Sequence, residues 1–76
     1  MKMDTKYLLL KDQIATYQAQ ICILKDLMEN AFNILNEETD PDKIKDAGTL
    51  LSRTRLRIVE VEKQLSITEE EIKCYN

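Results

Sequence analysis

The 76-residue chain has no histidine and no tryptophan, one glycine, one proline, two cysteines and no long apolar run. Each scarcity excludes something. A single Gly and a single Pro leave almost no turn chemistry, which argues against a multi-stranded sheet and for long helices. Without His the commonest general base and metal ligand is missing. The longest uninterrupted apolar stretches, Tyr7 to Leu10 and Ile21 to Leu24, are four residues each, against about 20 for a membrane span. No apolar h-region follows Met1-Lys2, so no secretory signal is expected. At this length one domain is the limit.

Eleven basic and fourteen acidic side chains give a net charge of −3 and a pI near 4.9. Polyanion binders rely on an excess of Lys and Arg, so a nucleic-acid partner is disfavoured and no membrane association is expected. Cys22 and Cys74 lie far apart in the hairpin argued next, roughly 25 Å at 1.5 Å per helical residue, whereas a disulfide needs Cα atoms within about 7 Å. Two free thiols suit a reducing cytoplasm.

What the sequence does contain is periodicity. Tyr7, Leu10, Ile14, Tyr17, Ile21, Leu24, Met28, Ala31 and Leu35 follow an unbroken 3-4 spacing, the a and d positions of a coiled-coil-like helix from about residue 4 to 36. A second run, Ile44, Ala47, Leu51, Thr54, Ile58, Val61, Leu65, Thr68, Ile72 and Tyr75, keeps the same spacing with Thr at two d positions. Such threonines adjust packing, or bond their hydroxyls to the carbonyl four residues back. Between the runs lies a loop at 37–40. Asp40 or Thr39 can cap a second helix at about 41–75, Pro41 suits its first turn, and Asp42 complements its dipole. A short loop makes the two helices antiparallel neighbours. Ser66-Ile67-Thr68-Glu69 also reads as a capping box, so a break near Ser66 is the alternative to a continuous second helix.

The fold class expected is therefore all-α: an antiparallel helical hairpin assembling into a four-helix bundle or larger helical oligomer. The assembly is expected because one seam between two helices offsets little of the ordering entropy. Helix 1 moreover carries apolar or small residues away from its seam: Leu8, Ala15, Ala19, Cys22 and Ile23 form the expected oligomer interface, with Leu9 and Leu27 beside them. Helix 2 has a weaker second face of Leu56, Val59 and Ile67. Apolar residues on more than one face imply burial on more than one face.

Charge is unevenly spread. From Gln13 to Leu24 no residue is charged, and the polar side chains there hydrogen-bond without the desolvation cost of a charge. From Ala47 to Val59 the chain places its only arginines, Arg53, Arg55 and Arg57, and no carboxylate. Within the helix only Arg57 has an acidic neighbour at i±3 or i±4, Glu60. Arginine is preferred for bidentate recognition of carboxylate and phosphate. Three readings follow: pairing across helices or subunits with acids such as Asp26 or Glu29, an acidic protein partner, or an anionic small molecule such as a nucleotide held at a subunit interface with Tyr17, Gln13 and Gln20. No Gly-rich phosphate loop accompanies the last.

No cofactor is implied, and catalysis is not expected. Neither cysteine has a His to activate it, and Glu69, Glu70 and Glu71 are consecutive and so point around a helix. The Ser-Gln-x-Leu-Asp signature of the sporulation aspartyl-phosphate phosphatases, also short hairpins, is absent; the nearest stretch is Ser52-Arg53-Thr54-Arg55-Leu56. In topology alone the chain resembles the plasmid RNA-binding hairpin that dimerises into a four-helix bundle. That likeness implies RNA gripped by Arg53, Arg57 and nearby lysines, and the acidic pI weighs against it. The leading expectation is a cytoplasmic, non-enzymatic homo-oligomer, a dimer or tetramer, that binds a protein partner as an adaptor, a chaperone-like cap or an inhibitor of the size of phage-encoded ones.

Overall fold

The structure, a computed structural model, describes residues 4–75 and consists of two helices, α1 (Thr5–Glu37) and α2 (Pro41–Lys73), packed as a hairpin. Each helix begins on an aspartate. The Asp4 carboxylate accepts from the Lys6 amide at 2.9 Å, and that of Asp40 accepts from the Asp42 amide at 3.0 Å; these satisfy N–H groups that no helical carbonyl reaches. Asp40, rather than Thr39, is thus the cap of α2, with Pro41 in the first turn. In the turn between the helices the Glu38 amide donates to the Ile34 carbonyl, while the Glu38 carboxylate accepts from the Thr39 and Asp40 amides, both at 3.1 Å. Helix α2 runs through Ser66 without a break.

The heptad arithmetic and the burial pattern coincide. All nine a and d side chains of α1 from Tyr7 to Leu35 are buried or half-buried, as are those of α2 from Ile44 to Ile72. At the open end the Tyr7 and Tyr75 rings meet edge to face, centroids 6.1 Å apart and planes at 61°, with the Lys11 ammonium 5.9 Å from the Tyr7 centroid. That contact marks the register of the two antiparallel runs. It places the larger a residues of α1, Ile14, Ile21, Met28 and Leu35, level with the small or β-branched d residues of α2: Thr68, Val61, Thr54 and Ala47. Thr54 and Thr68 are buried with satisfied hydroxyls, Oγ1 donating to the Leu50 carbonyl at 2.7 Å and to the Gln64 carbonyl at 2.9 Å. The desolvation cost of a buried unpaired hydroxyl is thereby avoided.

The core is thin. Among the described residues Leu10, Ala31, Ala47, Ile58 and Val61 are the buried apolar ones, and no large side chain is fully enclosed. The molecule measures 61 × 16 × 13 Å with a radius of gyration of 17.4 Å, where a compact chain of this length has about 11 Å. Its accessible surface is 6053 Å²; a compact monomer of the same mass exposes about 4,800 Å².

Candidate functional site

With the seam occupied, any site must be on the outside. Denoting the seam positions a and d as above, the remaining positions sort onto two sides of the hairpin, because in an antiparallel pair like flanks meet. The e and b positions of both helices form one broad face and the g and c positions the other, with f outermost.

The arginine window divides between these faces. Arg57, at g, lines a shallow hollow of about 220 Å³ with Gln20, Ile23 and Leu24 of α1. Arg55, at e, lies on the opposite face in a hollow of about 300 Å³ with Leu51, Ser52, Leu56 and Val59. Arg53, at c, is exposed. The structure therefore brings Gln20 and Arg57 together, as a shared anion or partner site requires. Gln13 is exposed, and Tyr17 is half-buried in the seam; neither lines the Gln20–Arg57 hollow.

Pairing of the arginines with Asp26 or Glu29 is not formed within the hairpin. The ion pairs among the described residues are Arg57–Glu60 at 3.2 Å and Lys73–Glu70 at 3.1 Å, both i,i+3 pairs on α2 and both well exposed. The reason lies in the register. Only e and g positions reach across a two-helix seam, whereas Arg53 is at c, Asp26 at f and Glu29 at b. Arg53 and Arg55 thus have no carboxylate within 4 Å among the described residues. Exposed pairs such as Arg57–Glu60 contribute at most about 1 kcal/mol, so Arg57 exchanges that partner at little cost.

The residues expected at an oligomer interface, Leu8, Ala15, Ala19, Cys22 and Ile23, are all exposed. They spread over the b, f and c positions of α1 and so over its whole outer arc. Sequence reasoning missed Phe32, Ile34 and Leu50, which are also large and exposed; the signal that finds them is the heptad lettering applied to both helices together. Leu56 and Val59, 66% and 63% exposed, are the least covered large apolar side chains among the described residues. Cys22 and Cys74 are free and exposed.

Among the described residues no group of three or more His, Cys, Asp or Glu side chains is placed to hold a metal ion, and no helix is long and apolar enough to cross a membrane. No protein-family model matches the chain, and neither the curated proteins nor the solved structures yield a match.

Proposed function

We propose that this chain is a non-enzymatic binding protein that works as a self-associated helical bundle and engages a protein partner, in the manner of an adaptor, a chaperone-like cap or an inhibitor. One observation carries the reading: the hairpin leaves eleven large apolar side chains exposed among its described residues. With 6053 Å² of accessible surface, it shows about 1,200 Å² more than a compact monomer of its mass, while a standard interface removes about 800 Å² per partner. Self-association supplies the missing cover, and the outer arc of α1 (Leu8, Ala15, Ala19, Cys22, Ile23) offers candidate surface for it. The arginines then serve as carboxylate-recognising groups toward the second copy or the partner.

A second reading rests on the hollow shared by Gln20 and Arg57. An amide and a guanidinium on facing helices are a fitting pair for an anionic small molecule, with Arg53 nearby to add charge.

Native mass spectrometry of the purified protein at tens of micromolar separates these. A bare multiple of 8.9 kDa is the expected result. Bound mass of a few hundred daltons per assembly that disappears in an Arg53→Ala/Arg57→Ala variant, with the assembly intact, establishes the ligand-binding reading instead. A monomer at that concentration overturns self-association.

A further inference from the structure

The two broad faces of the hairpin are unequal. Six of the eleven exposed large apolar residues are on the g/c face: Leu9, Ile23, Leu27 and Ile34 of α1, and Leu50 and Ile67 of α2. The two helices meet there in the Gln20–Arg57 hollow and in a second hollow near the loop that holds Ile34 and Leu50. On α1 the eight g and c positions from Leu9 to Ile34 hold no charged residue, whereas the e/b face of the same helix carries Lys11, Lys25 and Glu29. Covering the α1 half of the g/c face therefore desolvates no charge. The α2 half is charged and unevenly sorted: Lys43, Asp46, Arg53 and Arg57, three bases and one acid, lie toward the loop, and Glu60 and Glu71 toward the C-terminal end.

We propose that the g/c face is where a second copy of this chain docks, related by a two-fold axis perpendicular to the helices so that the loops lie at opposite ends. The proposal rests on the self-association reading above and narrows its surface: of the outer-arc residues only Ile23 is on the g/c face, and Leu8, Ala15, Ala19 and Cys22 lie outside the contact. An axis midway between Gln20 and Ile23 sets Leu9 against Ile34, and Thr16 against Leu27, of the second copy. The α1–α1 contact is then free of charge from Leu9 to Ile34, and Lys6 of one copy meets Glu37 of the second at each end. The same axis crosses α2 between Glu60 and Val61, so that Arg57 of one copy flanks Glu60 of the second and Arg53 flanks Glu71, and these pairs offset the approach of the two Glu60 side chains at the axis. With the loops at the same end, each α2 instead lies on the uncharged α1 of the other copy. Arg53 and Arg57 then lose water near Ile23 and gain no carboxylate, an arrangement that costs stability. Charge sorting selects the antiparallel dimer. The exposed area in excess of a compact monomer, about 1,200 Å², covers what a standard interface takes from each partner, about 800 Å².

Two charge variants test the orientation. Arg53→Glu/Arg57→Glu leaves Lys43 as the one base on the g/c face of α2, and Glu60→Lys/Glu71→Lys leaves Asp46 as its one acid. All four positions are exposed, and circular dichroism checks that each variant stays helical. At low salt each variant alone is expected to dimerise at least tenfold more weakly than the parent, and an equimolar mixture to form a heterodimer preferentially, read by native mass spectrometry from the distinct masses. Variants that self-associate like the parent, or a mixture that recovers no heterodimer, overturn the orientation. Leu27→Glu/Leu50→Glu tests the face without touching its charged groups. It is expected to dissociate the dimer, whereas Leu8→Glu on the other face leaves it assembled. The reverse result moves the interface to the e/b face and overturns this proposal while self-association stands. A monomeric parent protein overturns the self-association reading itself.

Discussion

Helices α1 and α2 have the same length, 33 residues each, and the same heptad spacing, yet they are buried to different degrees. Helix α1 buries only Leu10 and Ala31, whereas α2 buries Ala47, Thr54, Ile58, Val61 and Thr68. The difference follows from side-chain size. The a column of α1 is built from Tyr, Ile, Met and Leu, whose ends pass beyond the seam into solvent. Opposite them, the d column of α2 runs Ala47, Thr54, Val61 and Thr68, short enough to be roofed over. In these four layers the small residue is the buried one and its large neighbour serves as the cover; Leu10 and Ile58 are the large seam residues that are buried as well.

This asymmetry is open to mutation. The largest effect is expected for Ile58→Ala, which removes one of the few large side chains that α2 does bury. A loss of about 2–4 kcal/mol in urea unfolding is expected, with a smaller loss for the half-buried Leu24→Ala on the facing helix. Equal losses would break the comparison, because they would mean that α1's seam residues are as well covered as α2's. Gly48→Ala comes next. This glycine is inside α2, has no positive φ, and an added Cβ would find nothing within 4 Å. Helix propensity then acts alone, and a gain of about 0.8–1 kcal/mol is expected, read as a higher urea midpoint with unchanged slope. Thr54→Val is the smallest. Its hydroxyl bonds only the Leu50 carbonyl of its own helix, so exchanging it for a methyl group is expected to shift stability by less than about 1 kcal/mol. A larger loss would show that the d column of α2 depends on its hydroxyls as well as on its size.

The 3-4 spacing made the hairpin legible in the sequence, because a two-helix seam is a periodic object and little else in this chain competes with it. The turn was legible for the same kind of reason: Asp40, Pro41 and Asp42 are local chemistry. The role of the Glu38 carboxylate as a second acceptor in the turn was not, since acidic residues at a helix end read simply as solvated. The arginine window is the instructive case. Sequence proximity placed Arg53, Arg55 and Arg57 together, but residues two apart on a helix diverge, and the fold sends Arg55 to one face and Arg57 to the other. Composition marked Arg53 and Arg55 as lacking acidic neighbours in their own helix. That the facing helix offers them no partner either depends on the heptad letters of Asp26 and Glu29, which become decisive only once the two helices are in register.

The short turn has a kinetic consequence. Three residues, Glu38 to Asp40, join the helices, so the layers nearest the turn require the smallest loops to close. Each layer formed shortens the effective loop for the next. The hairpin is therefore expected to zip outward from Leu35 and Ala47, with the Tyr7–Tyr75 clasp closing last and opening first. Slow amide exchange near the turn, graded toward fast exchange at the clasp, is the signature of such a zipper.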